Sequence, residues 1–186
     1  FVASADLDGD GDLDVFSASF ADDKIAWYAN DGSGGFGPQQ IISTLADFAS
    51  CAAAADLDRD GDLDVLSASS YDNKIAWYPN NGSGGFGPQQ IISTLAITAS
   101  YVASADLDGD GDQDVLSASL TDDKIAWYTN DGSGGFGPQQ IISTLADYAQ
   151  FVESADLDGD GDLDVLSASS YDDKVAWYAN DGLGGF

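Results

Sequence analysis

The sequence predicts an all-β fold made of repeated units, each a sheet of four antiparallel strands about 50 residues long. Three observations carry that expectation. The chain repeats itself every 50 residues: Asp6 recurs as Asp56, Asp106 and Asp156, and Trp27-Tyr28 recurs as Trp77-Tyr78, Trp127-Tyr128 and Trp177-Tyr178. Each unit holds four short β-prone runs separated by clusters of Asp, Gly, Asn and Ser. No window of ~11 residues keeps a helical period free of Gly clusters.

Within the first unit, the apolar run Phe1–Ala5 reads as strand one. Asp14–Ser19 (Asp-Val-Phe-Ser-Ala-Ser) reads as strand two, its small side chains suited to a crowded position. Lys24–Tyr28 is the third strand, with Ile25 and Trp27 on one face and Ala26 and Tyr28 on the other. The loop Asn30–Gly35 is rich in residues that tolerate positive φ and close hairpins. Gln39–Thr44 is the fourth strand, and the stretch 34–46 reappears unchanged at 84–96 and 134–146.

A unit of four antiparallel strands and about 50 residues has the size of one β-propeller blade, which buries its faces only by stacking on neighbours. The expected blades are 1–50, 51–100, 101–150 and 151–186, all in one repeat domain. The last lacks the counterpart of Gly37–Ser50, and with it a fourth strand. The expectation is a section of a larger propeller or assembly, completed by further blades of a longer chain or by other copies. A self-contained four-bladed ring is the alternative.

Charge bounds the function. The chain carries 33 acidic against 5 basic side chains, a net charge of −28, with no His and one Cys. Its 44% hydrophobic content argues against disorder. Nucleic acid is an unsuitable partner, because phosphates are neutralised by Lys and Arg. Without His, the commonest general base is missing. One Cys excludes an intrachain disulfide and a Cys-cluster zinc site. No apolar run approaches the ~18 residues of a membrane span.

Twenty of the 33 acids lie in four nine-residue loops between strands one and two, the first running from Asp6 to Asp14. Carboxylates at loop positions one, three, five and nine, with Gly at six, make an oxygen cage for a hard cation. The backbone carbonyl at position seven adds another oxygen. All-oxygen ligation with several carboxylates favours calcium, about one ion per blade and four in all. The candidate ligands are Asp6, Asp8, Asp10, Asp12 and Asp14; Asp56, Asp58, Asp60, Asp62 and Asp64; Asp106, Asp108, Asp110, Asp112 and Asp114; and Asp156, Asp158, Asp160, Asp162 and Asp164. Asp12, Asp62, Asp112 and Asp162 are expected to contribute their carbonyls, with outward-facing carboxylates. Arg59 and Gln113 replace Gly and Leu at positions that ligate nothing. An EF-hand would need an acid at position 12 and a following helix; Ser17 stands there, inside a strand.

These residues resemble the FG-GAP/VCBS-type repeats of integrin α-chain-like β-propellers. The likeness rests on Ala5-Asp-Leu-Asp-Gly-Asp-Gly-Asp-Leu-Asp-Val15, on Asn30-Asp-Gly32 and on Phe36-Gly37, repeated through the chain. It departs at Ser17-Ala-Ser19, which puts the chain nearer the VCBS-type branch. The resemblance implies calcium in each Asp-rich loop, an extracellular or cell-surface setting, and a binding or scaffolding role. Rings of this family commonly close with more blades than this chain carries.

The expected function is therefore non-catalytic: a calcium-stabilised extracellular module for adhesion, ligand binding or scaffolding. A repeat subunit of a surface layer or filament is one alternative, and a carbohydrate-binding lectin another; the ligand would be a glycan or a protein. Trp27, Trp77, Trp127 and Trp177 read as packing between blades, and Cys51 as a wall residue. Lys24, Lys74, Lys124 and Lys174 stand beside Asp pairs and should form salt bridges. Variation just before those lysines marks loop tips. Asn81-Gly-Ser83 is the one N-glycosylation sequon, making Asn81 a possible glycosylation site in a secreted eukaryotic protein.

Overall fold

A computed structural model describes all 186 residues. It contains 15 strands and no helix, and so none long and apolar enough to cross a membrane. The first sheet is β1 (Val2–Ala5), β2 (Asp14–Ser19), β3 (Lys24–Tyr28) and β4 (Gln40–Ser43), paired antiparallel in chain order. The second is β5 (Ala49–Ala55), β6 (Asp64–Ser69), β7 (Lys74–Tyr78) and β8 (Gln90–Ser93); the third is β9 (Ala99–Ala105), β10 (Asp114–Ser119), β11 (Lys124–Tyr128) and β12 (Gln140–Ser143). The fourth has three strands, β13 (Ala149–Ala155), β14 (Asp164–Ser169) and β15 (Lys174–Tyr178).

Registers repeat as the sequences do: Ala5 faces Asp14, Phe16 faces Trp27, and Trp27 faces Gln40. Two boundaries differ from the sequence expectation, each for a local reason. The fourth strand stops at Ser43, whose Oγ accepts the Leu45 N–H at 3.1 Å and turns the chain. In later sheets the first strand starts earlier, at Ala49, Ala99 and Ala149, because the incoming linker pairs before a bulge at the next residue.

Sheets stack face to face, and their first strands lie side by side, β5 against β9 and β9 against β13. Aromatic contacts bring these inner edges together: Phe1 meets Tyr101 edge to face at 5.9 Å, and Tyr101 meets Phe151 at 4.5 Å. The central strands β6 and β10 are buried at all six residues, whereas β2 alternates buried and half-buried. Inner sheets are thus covered on both faces, and the first on one.

Each joint uses the same parts. Leu7, Phe16, Ile25 and Trp27 of the first sheet pack on Val65 and Tyr78 of the second, and the linker residues Ala46 and Ala49 close the gap. Leu57, Leu66, Ile75 and Trp77 repeat this against Val115 and Tyr128. Leu107, Leu116, Ile125 and Trp127 do so against Val152 and Val165. Trp27, Trp77 and Trp127 are inter-sheet wedges, as their spacing predicts, whereas Trp177 on the fourth sheet is 48% exposed and packs on no following sheet. Each wedge lies over a glycine of the next sheet, Trp27 on Gly84, Trp77 on Gly134 and Trp127 on Gly184, where the indole occupies the space a Cβ would need. Each also meets a phenylalanine edge to face, with Trp27–Phe86 at 6.4 Å and Trp77–Phe136 at 6.5 Å. Cys51 is buried in the second joint; burial pushes its thiol up to about 12, so it packs and does not react.

Gly134 and Gly34 separate packing from backbone strain. Both have positive φ, but only Gly134 has an indole against it; Gly34 has nothing within 4 Å. Gly134→Ala should destabilise by about 2–4 kcal/mol, combining left-handed strain with overpacking. Gly34→Ala should cost only about 1–2 kcal/mol. Equal losses in denaturant melts of the two variants would contradict this account of the joint.

Candidate metal centres

The nine-residue loops fold on their own carboxylates. Asp6 takes N–H groups from Gly9 and Gly11, each at 2.9 Å, and Asp10 takes the Asp12 N–H at 2.9 Å. Asp106 and Asp156 bind the amides of their own loops in the same way. Carboxylate oxygens converge within 4.8 Å of one another in every loop: Asp6, Asp8 and Asp10; Asp56, Asp58 and Asp64; Asp106, Asp108 and Asp114; Asp156, Asp158 and Asp164. The first, third and fifth positions thus meet in one loop, and the first, third and ninth in the other three. Asp60, Asp110 and Asp160 lie outside these groups, as does Asp14.

The ninth-position aspartate does more than sequence spacing implies. Asp14, Asp64, Asp114 and Asp164 are all fully buried. Asp64 Oδ2 accepts the Leu57 N–H at 3.0 Å and its Oδ1 accepts the Asn80 N–H at 2.8 Å. The other three do the same with Leu7 and Asn30, Leu107 and Asn130, and Leu157 and Asn180. Each carboxylate therefore joins the start of its loop to the turn after the third strand. Burial pushes Asp64 and Asp114 up to about 6, although these N–H donors pull the other way. Asp8, Asp58, Asp108 and Asp158 are also raised, by desolvation first and by neighbouring aspartates.

The donor set fits a divalent cation. Asp56 Oδ1 is buried without a hydrogen-bond partner, inside the Asp56–Asp58–Asp64 group. Such an oxygen carries an uncompensated desolvation cost that a cation removes. Crowded, raised carboxylates are a second sign, since a cation offsets both their repulsion and their burial.

Three features escaped the sequence reading. The first is the asparagine of the Asn-Asp-Gly turn. Asn80 Nδ2 donates to Leu63 O at 2.9 Å and, across the joint, to Leu7 O at 2.8 Å. Asn130 reaches Leu57 O and Asn180 reaches Leu107 O, so a buried side chain ties each of the first three acid loops to the next sheet. Recurrence of this Asn in every unit was the available signal. The second is Arg59, whose guanidinium pairs with the Asp112 carboxylate and donates to Asp110 O at 3.3 Å in the following loop. Asp112 is consequently buried. The third corrects an expectation: the carboxylates of Asp12, Asp62, Asp112 and Asp162 do not point outward but lean on Gly32, Gly82, Gly132 and Gly182, filling the space a Cβ would take.

The predicted lysine pairs are present, Lys24–Asp22, Lys74–Asp72 and Lys124–Asp122 at 2.7 Å and Lys174–Asp172 at 2.9 Å. Asn81 is exposed, with its side-chain oxygen accepting Ser83 N, Ser83 Oγ and Gly85 N.

Comparison with known proteins follows the same lines. A family model described as FG-GAP-like repeat matches residues 6–67, 56–117 and 106–167. No curated protein matches the sequence. Among solved structures, an Agrocybe aegerita lectin, described through its specific recognition of non-reducing terminal N-acetylglucosamine, superposes with a TM-score of 0.69 at 24% identity, over 98% of this chain and 49% of that one. BBS1N in complex with ARL6DN gives 0.62 at 10% identity, over 97% and 56%. The V. cholerae biofilm matrix protein Bap1 gives 0.49 at 22% identity, over 89% and 27%. The chain thus spans about half the length of the lectin it resembles, and the likeness is one of fold.

The two roles of these aspartates separate in chelator. Asp114→Asn replaces one buried acceptor oxygen with a donor facing an amide, and should destabilise the metal-free protein by about 1–3 kcal/mol. Asp108→Asn, whose carboxylate sits in an exposed loop, should leave metal-free stability within about 0.5 kcal/mol and relieve repulsion. Equal losses in chelator would contradict the latch role of Asp114.

Proposed function

The chain belongs to the FG-GAP-like repeat family, and from that premise we propose that it is a non-catalytic, calcium-stabilised binding module. Its four sheets are read as blades of an extracellular β-propeller, with units at 1–50, 51–100, 101–150 and 151–186. The observation that carries the metal reading is a convergent carboxylate group in every repeat, one of which holds a buried oxygen without a partner. Aspartates at loop positions one, three, five and nine would hold the ion, with the carbonyls of Asp12, Asp62, Asp112 and Asp162 beside them. Oxygen-only donors and several negative charges favour calcium over transition metals. Four such ions would bring the net charge from −28 to −20.

The metal's role in this reading is structural. The ninth-position carboxylates already bind two amides each, so an ion beside them would lock the loop, the following strand and the Asn-Asp-Gly turn together. That division of duties also supports a non-catalytic reading, since these oxygens are committed to backbone and metal. Weak affinities, with Kd of ~10⁻⁴–10⁻³ M, suit extracellular calcium.

A glycan is the second reading for the ligand, supported by the end of the molecule opposite the acid loops. Residues that vary between the otherwise copied units gather there, and many are aromatic. Tyr148 stacks on Tyr171 at 4.2 Å, and Phe48 lies between Phe20 and Tyr71. A cavity of about 360 Å³ beside them is lined by Ser50, Ser70, Ser100, Thr98 and Gln150 among others. Exposed rings with hydroxyl neighbours are the chemistry that stacks on a neutral sugar.

Calcium at about 100 times Kd should stabilise the fold by about 2.7 kcal/mol per occupied site, and excess chelator should reverse this. A melting temperature indifferent to calcium and chelator would remove the metal reading. For the ligand, Tyr171→Ala should abolish retention on immobilised neutral glycans while the calcium-dependent melt stays unchanged, because Tyr171 is 70% exposed. Wild-type protein that retains no neutral glycan in saturating calcium would remove the glycan reading.

A further inference from the structure

One residue breaks the copying of the acid loops. At loop position four the first, third and fourth loops have Gly9, Gly109 and Gly159, and the second has Arg59. All four positions are left-handed, with φ of 76°, 75° and 83° at the glycines and 60° at Arg59. That conformation strains any residue with a Cβ. At Gly9 and Gly109 a Cβ would also stand 3.2 Å from a carbonyl oxygen of a neighbouring turn, Gly82 O or Gly182 O.

The substitution coincides with the loss of one hydrogen bond. Gly9, Gly109 and Gly159 each donate their N–H to Oδ1 of the position-one aspartate, at 2.9, 2.9 and 2.7 Å. Arg59 makes no such bond, and Asp56 Oδ1 is left buried without a partner. The rest of the second loop is held as in its siblings: the Gly61 N–H reaches Asp56 Oδ2 at 3.1 Å and the Asp62 N–H reaches Asp60 at 2.9 Å. One ligand oxygen is therefore freed while the loop keeps its other ties.

The arginine side chain turns to the third loop. Its guanidinium pairs with the Asp112 carboxylate, donates from Nη2 to Asp110 O at 3.3 Å, and lies 3.0 Å from where a Cβ on Gly111 would stand. Asp112 is buried, whereas Asp12, Asp62 and Asp162 are half-buried. The third loop thus carries a fixed positive charge among its five aspartates.

We propose that Arg59 makes the metal loops unequal, so that the second takes up calcium more tightly than the first, and the third more weakly. This order rests on the calcium reading of the acid loops and deepens it. A buried, unpaired oxygen gives up no hydrogen bond when a cation takes it, whereas Asp6 and Asp106 share theirs with an amide; the difference corresponds to about a tenfold gain in affinity. At the third loop the guanidinium repels a divalent cation. It is 54% exposed and therefore screened, so the loss is about threefold to tenfold. The first loop, with Gly9 at position four, is the reference. Filling then begins on one side of the joint between the second and third sheets, where Arg59 already ties the two loops without metal.

Calcium titrations followed by the amide resonances of Gly11, Gly61 and Gly111 read the three sites separately, since each donates to the position-one aspartate of its own loop. In the wild type, Gly61 should reach its midpoint at about a tenth of the calcium that Gly11 needs, and Gly111 at about threefold to tenfold more. Arg59→Gly, which restores the residue of the other loops, should bring all three midpoints together. Arg59→Ala keeps a Cβ on the left-handed backbone and removes the charge, so Gly111 should join Gly11 while Gly61 stays early. Wild-type midpoints that coincide would overturn the proposal and leave the metal reading standing. An order that persists in Arg59→Gly would overturn it too, because it would belong to another difference between the loops. Resonances indifferent to calcium in all three loops would remove the metal reading and this proposal with it.

Discussion

The rest of the structure depends on one buried carboxylate, repeated as Asp14, Asp64, Asp114 and Asp164. Burying a charge without partners is prohibitive, so its two oxygens must be satisfied, and they are satisfied by amides from two distant segments. One amide opens the acid loop; the other belongs to the asparagine that ends the third strand's turn. In the second, third and fourth sheets that asparagine then spends its side chain on its own loop and on the loop of the preceding sheet. A single aspartate therefore couples loop conformation, sheet geometry and the joint between sheets. A cation among the neighbouring carboxylates would act on all three at once.

Two kinds of force share each joint. Apolar contact between the wedge tryptophan and the facing Val and Tyr supplies the non-directional part, and burial of such side chains is worth about 1.5–3 kcal/mol each. Direction comes from the Asn bond and from the glycine seat, where a Cβ would collide with the indole. Electrostatics opposes both, because five aspartates crowd each loop. Arg59 relieves this at one joint by crossing to Asp112, which a metal-free array would otherwise face unaided.

Much of this was legible in the sequence, and the parts that were not share a cause. The 50-residue period, the strand runs and the face carrying Ile25 and Trp27 follow from spacing alone, because they are set by residues close in the chain. The wedge role of Trp27, Trp77 and Trp127 follows from their recurrence at one phase. Asp14 was legible as an acid in an oxygen cage but not as a backbone latch, because the Asn30 amide is 16 residues away. The Asn80–Leu7 tie spans 73 residues, and the partner of Arg59 lies in another unit, out of reach of local spacing. Asp12 was expected to face water, since nothing local reveals that Gly32 offers it a seat. Loop chemistry could be read from neighbours in sequence; joints could not.

The coupling has a direct measurement. Amide hydrogen exchange at Asn80 and Asn130, whose N–H groups are held by Asp64 and Asp114, can be followed with and without calcium. If the carboxylate latch, the metal loop and the joint form one unit, these amides exchange slowly in calcium. Chelation then accelerates them together with Leu57 and Leu107, while amides in the middle of β6 and β10 stay protected. Exchange at Asn80 and Asn130 that is unaffected by calcium would separate the latch from the metal loop and contradict the account.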